Sequence, residues 1–172
     1  MIKRIAIIAI VLGLTGAIAS CQQDENPNSA ATPAVSGTSD SKYYCGLSSD
    51  GTPTTFVKSD RGDIALVPWE SDYFEKFGYT REQRCQAVSA KFQQTDEEGI
   101  LNYLTIGEIN NLPVICASSS LGTGCQEALF TLEGDRNAAV ALEEIFAGEV
   151  QKQNNAPYMD IEAVLDNLSN IN

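Results

Sequence analysis

Thr80-Arg81-Glu82-Gln83-Arg84-Cys85-Gln86-Ala87-Val88-Ser89-Ala90-Lys91-Phe92 reads as the opening of a helix that turns a cysteine toward the core. Thr80 is a good N-cap, and Gln83, three positions on, completes a capping box in which each side chain satisfies the other residue's backbone N–H. Beyond the cap, Cys85, Val88 and Phe92 recur at i, i+3 and i+7, so they share one helix face. Cys85 therefore lies on the apolar stripe, where a bridge to a neighbouring sheet strand is geometrically reasonable.

Upstream of this helix, Lys42 to Leu47 and Thr54 to Lys58 read as short strands with Asp50-Gly51 in the turn between them. A further turn, Ser59 to Asp63, leads into the apolar strand Ile64 to Val67. Pro68 lacks an N–H and must end that strand or sit on an edge. Downstream, Asn102 to Gly107 and Leu112 to Ala117 flank Asn110-Asn111, two residues that tolerate the positive φ of a tight hairpin turn. Gln126 to Leu132 is another strand. Asp135 can cap a helix running to about Val150, striped by Ala141, Leu142, Ile145 and Phe146. Asp160 can cap the last helix, where Ile161, Val164, Leu165 and Leu168 make one apolar face. Runs of strands separated by such helices predict an α+β fold: a mostly antiparallel sheet with about three helices packed on one side. One domain spanning residues 43–172 is expected to hold all of it.

Four cysteines fall in this region, Cys45, Cys85, Cys116 and Cys125, and in an exported chain an even set reads as two disulfides. Three pairings are open. The supple Ala-Ser-Ser-Ser-Leu-Gly-Thr-Gly loop between Cys116 and Cys125 favours their closure, which leaves Cys45 for Cys85. Chain entropy would give the short bridge about 2.7 kcal/mol and the long one about 4 kcal/mol.

Export is read from residues 1–20. Lys3 and Arg4 precede an apolar run from Ile5 to Ile18, about 14 residues against the ~20 of a membrane span. Ile18-Ala19-Ser20-Cys21 then resembles the bacterial lipobox, an aliphatic residue, two small ones and a cysteine. The Cys21 thiol takes a diacylglyceryl group, and small residues before it give the peptidase access to the bond it cleaves. Two or three acyl chains anchor stably, where one does not. Residues 21–42 form the lipidated cysteine and a tether rich in Ser, Thr, Ala, Pro and Asn, whose ~20 residues span about 25 Å as a coil. The expected location is the periplasmic face of a membrane or the thylakoid lumen.

Charge narrows the partners. Removing residues 1–20 takes away Lys3 and Arg4 and no acid, leaving 9 basic and 23 acidic side chains, a net charge of −14. Such a chain is a poor match for nucleic acid, which needs a clustered cationic face. It is equally poor at adhering to anionic lipid by charge alone. The chain has no histidine, which removes His-based triads and dyads and most ordinary zinc ligation. Enzymes that work with carboxylates, lysine or tyrosine remain open.

Tyr44-Cys45, Val67-Pro68-Trp69 with Phe74, Tyr79-Thr80 and Arg84-Cys85-Gln86-Ala87-Val88-Ser89-Ala90-Lys91-Phe92 together resemble the cyanobacterial circadian-oscillating-protein domain. Leu104 to Gly107, Leu112 to Cys116 and Leu129 to Leu132 continue the resemblance, which covers roughly Tyr43 to Val150. It implies a membrane-associated cyanobacterial protein and supplies no catalytic residues, cofactor or ligand. Rhythmic abundance, the source of the family's name, belongs to gene control.

Other constellations are weak. Glu97-Glu98 and Glu143-Glu144 are adjacent acids, about 100° apart on a helix, and suit a solvated face. Asp60, Gly62 and Asp63 lack the alternating acids and terminal glutamate of a calcium loop, so no metal is expected. Arg61-Gly62-Asp63 is too short to carry an adhesion assignment. The group with most promise is Arg81, Arg84 and Lys91 beside Trp69, Tyr73, Phe74 and Phe77. A cationic helix next to aromatics can bind a carboxylated or glycan ligand, or can simply pair with local acids while the rings pack inward. The functional expectation is a lipid-anchored, non-catalytic binding or interaction module whose partner is an envelope protein or glycan. The alternatives are a glycan-acting envelope enzyme using two carboxylates about 5–10 Å apart and an acidic inhibitor of a basic secreted enzyme.

Overall fold

The computed structural model describes residues 41–148 and 150–171. The expected signal segment, Cys21 and nearly all of the expected tether lie outside the described residues. Among the described residues the fold is α+β, with three α-helices, two antiparallel sheets and two disulfides.

The first sheet is β1 (Tyr43–Leu47), β2 (Pro53–Ser59) and β3 (Gly62–Pro68), in that order. Asp50 sets the β1–β2 turn by accepting from Ser48 Oγ (2.6 Å) and Thr52 N (3.1 Å), with Gly51 at φ 83°. β3 ends at Pro68 and forms one edge of the sheet, as a residue without an N–H requires. The chain then passes through a 3-10 turn (Glu75–Phe77) and Gly78 at φ 88° to Thr80. There both halves of the capping box form, Gln83 N to Thr80 Oγ1 (3.2 Å) and Thr80 N to Gln83 Oε1 (3.0 Å), and α1 (Arg81–Glu97) begins. Cys85, Val88 and Phe92 are buried on its inner face. Cys85 is bonded to Cys45 on β1, and Phe92 stacks on Tyr43 at 5.5 Å between centroids.

The second sheet runs β6-β5-β4-β8-β7, with β4 (Tyr103–Ile109), β5 (Leu112–Ser118), β6 (Glu127–Thr131), β7 (Gln151–Gln153) and β8 (Ala156–Asp160). Asn110 and Asn111, at φ 52° and 62°, close the β4–β5 hairpin. Cys116 on β5 is bonded to Cys125, closing the loop before β6. β7 and β8 are a hairpin that periodicity alone did not predict. Its turn, Asn154-Asn155 at φ 52° and 64°, repeats the chemistry of the first, but Gln151-Lys152-Gln153 is wholly exposed and shows no apolar alternation.

α2 (Ala138–Phe146) is shorter than the expected Asp135–Val150 helix. Asp135 is spent in the turn where Arg136 N bonds Glu133 O, so Asn137 becomes the cap, its Oδ1 accepting from Ala139 N and Val140 N. Ala147, at φ 45°, stops the helix. α3 (Ile161–Ile171) starts as expected on Asp160, whose Oδ1 accepts from Glu162 N (2.9 Å) and Ala163 N (3.1 Å).

The strands divide into two sheets because the chain leaves β3 at Pro68 and reaches β4 only after all of α1. Each helix touches both sheets: α1 packs on β1, β2 and β6, α2 on β3, β4 and β5, and α3 on β3 and β8. One connected core results, running from Leu66 and Phe92 through Leu142 and Phe146 to Leu104, Ile115 and Met159.

Candidate functional site

Trp69 is fixed first. Leaving β3, its backbone N bonds Pro53 O (2.9 Å), and its Nε1 donates to Thr55 Oγ1 (3.0 Å), which also accepts from Ser89 Oγ. The indole is 3 % exposed and meets Phe130 of β6 edge-on at 5.4 Å. Its one polar atom is thus satisfied inside the protein, and the rest of the ring is packing surface.

Arg84, on the first turn of α1, is half-buried with its guanidinium against two rings, 4.8 Å from the Trp69 centroid and 4.4 Å from that of Phe74. Nη1 donates to Ser71 O (3.1 Å), while Ser71 Oγ donates to Glu133 Oε1 (2.5 Å). Burial pulls the Arg84 guanidinium below its ordinary value and nearby Glu133 opposes that shift. An arginine stays charged under either influence. The Cys45–Cys85 bridge adjoins it and ties the start of α1 to β1.

An aromatic segment follows Trp69. Tyr73 lies edge-on to Phe74 at 5.0 Å and tilted against Phe77 at 6.0 Å, with Lys76 Nζ 4.0 Å from the Tyr73 ring. Phe77 and Tyr79 remain 60 % exposed each, apolar area that the fold leaves uncovered. Between this segment, the start of α1 and the end of β6 runs a groove of about 520 Å³, lined by Tyr73, Phe74, Phe77 and Tyr79, by Ala87 and Val88, and by Trp69, Phe130 and Leu112. Arg84 is the one Lys, Arg, Asp or Glu among its lining residues. A second, more polar cavity of about 430 Å³ shares Trp69, Phe74 and Arg84 and adds Glu70, Glu133, Arg136 and Glu144. Within it Arg136 is paired with Glu144 (2.8 Å).

Of the seven residues singled out in the sequence, Trp69, Tyr73, Phe74, Phe77 and Arg84 come together here. Arg81 is held by Glu75 of the 3-10 turn at 3.6 Å, and Lys91 is paired with Glu127 at the start of β6. Neither lines the groove. Phe130 and Leu112, which do, come from the second sheet, and no spacing rule links them to Trp69 in the sequence. Among the described residues no cluster of three or more His, Cys, Asp or Glu is arranged to hold a metal.

The groove is therefore an apolar, aromatic slot with one immobilised cation in its wall. It can bind and orient, and the lining offers no carboxylate for acid–base work. A family model described as Circadian oscillating protein COP23 matches residues 42–166. No curated protein and no solved structure matches the chain.

Proposed function

The chain belongs to the circadian oscillating protein COP23 family, and on that premise we propose that it is an exported, lipid-anchored, non-catalytic binding module whose ligand site is the groove beside Arg84. The observation that carries this is the groove itself, about 520 Å³ of aromatic-walled space with Phe77 and Tyr79 each 60 % exposed at its margin. That volume lies in the usual range of ligand sites, about 300–1,000 Å³. Two disulfides accord with an oxidising compartment outside the cytoplasm. The lipobox ending at Cys21 supplies the membrane link that a net charge of −14 on residues 21–172 cannot supply by adhesion.

Affinity purification of the full chain from detergent-solubilised envelope tests the proposal. Material that co-purifies with the wild type and is lost from the Phe77→Ala/Tyr79→Ala variant supports it. Equal recovery from both chains contradicts it. The anchor has its own test: a fatty acid fed to cells should label the wild type, and label appearing equally on the Cys21→Ala chain refutes lipidation at Cys21.

A further inference from the structure

We infer that the groove takes an anionic amphiphile, a single carboxylate on an apolar body, with the carboxylate on Arg84 and the body against Phe74, Phe77, Val88 and Phe130. This deepens the proposed binding function and rests on it. The first ground is the distribution of charge. The chain carries 23 acids against 11 bases, yet the groove lining contains no acid and one arginine. A cationic ligand would gain from acids placed there. An anion gains from their exclusion.

The second ground is the state of the guanidinium. Both Trp69 and Phe74 lie within cation–π distance of it, so it is packed against two rings before any ligand arrives. It makes one hydrogen bond, to Ser71 O, out of five available donors. Glu133, the obvious internal competitor, takes the Ser71 hydroxyl and stays beyond ion-pair distance, acting on Arg84 only as a nearby charge. A planar fork with free in-plane donors matches a carboxylate edge-on. The Cys45–Cys85 bridge beside it limits the ordering cost of binding.

The third ground is the apolar remainder. Sugars need several converging polar partners, and Gln83, the most polar neutral lining residue, already spends its Oε1 on the helix cap. Uncovered Phe77 and Tyr79 instead suit an alkyl or aromatic body.

Trp69 is the chain's single tryptophan and lines the groove, so its emission reports occupancy directly. The full chain, displayed on phosphatidylcholine vesicles, is titrated with octanoate, octanol and octylammonium. Octanoate should shift Trp69 emission saturably and bind about tenfold or more tighter than octylammonium. Arg84→Gln should weaken octanoate by about tenfold and leave octanol unchanged. Phe77→Glu, at an exposed position that spares the fold, should abolish octanoate binding and favour octylammonium. Octylammonium binding as well as octanoate, or octanoate indifferent to both substitutions, overturns the inference. If no probe moves Trp69 while Phe77→Ala/Tyr79→Ala still loses co-purifying material, the ligand class is wrong and the binding function stands. If both fail, both are overturned.

Discussion

Removing the Arg84 side chain should cost stability that removing Arg81, one turn earlier on α1, does not. In Arg84→Ala the bond from Nη1 to Ser71 O is lost, and a charged donor to a carbonyl contributes about 1.5–3 kcal/mol. Contacts with the Trp69 and Phe74 rings, at 4.8 and 4.4 Å, add about 0.5–1 kcal/mol each. Desolvation of the half-buried guanidinium offsets part of this, because the alanine chain no longer bears it. The net loss should be about 2–3 kcal/mol, or about 6–10 °C in Tm for a domain of this size. Arg81→Ala is the control, since its side chain and that of Glu75 are 42 % and 47 % exposed and their 3.6 Å pairing is worth at most about 1 kcal/mol. Calorimetric or circular-dichroism melting of the three chains in the same buffer measures the difference. An Arg84→Ala melt within about 2 °C of the wild type, or equal to that of Arg81→Ala, would refute the reasoning.

Replacing Cys45 and Cys85 with alanine should lower unfolding stability by about 4 kcal/mol, and replacing Cys116 and Cys125 by about 2.7 kcal/mol. Guanidinium unfolding gives both losses, and the reverse order would contradict the loop-length account, since the bridges span 40 and 9 residues. Gly107→Ala should cost about 1–3 kcal/mol, because a Cβ there would sit 2.9 Å from Cys125 Cβ and 3.0 Å from both sulfurs of the second bridge. A denaturation midpoint unchanged from wild type would show that the bridge moves aside freely. Tyr44 should give an alkaline signature, its hydroxyl pushed up to about 12 by burial and then by its hydrogen bond to Asp63. A pKa raised by folding stabilises below the unfolded value of about 10 and is lost as pH rises from there toward 12. Stability of the wild type relative to Tyr44→Phe should therefore fall across that window, and a flat difference between the two pH curves would count against the Tyr44–Asp63 bond.

Much of the fold was legible because local chemistry set it. The Thr80–Gln83 box, the Asn110-Asn111 turn and the Asp160 cap each use one residue type in one backbone conformation, and each forms as the sequence implies. The pairing of Cys45 with Cys85 was legible because the supple loop between Cys116 and Cys125 favours their closure and the i, i+3, i+7 stripe turns Cys85 inward. The β7–β8 hairpin was not, because an exposed edge strand such as Gln151–Gln153 buries nothing and shows no period. At the candidate site, Arg84 and Trp69 were legible from their types and closeness. Lys91 was misleading: seven residues place it on the same side as Arg84, but about 10 Å further along the axis, where Glu127 takes it. Phe130 and Leu112 were invisible because sequence order does not say which strand of the second sheet meets α1.

The claim that this groove is where the protein meets its ligand or partner is tested most directly by photocrosslinking in the cell. p-Benzoylphenylalanine is placed at position 77 of the full chain, and at position 171, where Ile171 is 71 % exposed on α3 and does not line the groove. The account predicts a discrete crosslinked adduct from position 77 and none from position 171. Equal adducts from both positions, or adducts from 171 alone, would contradict it.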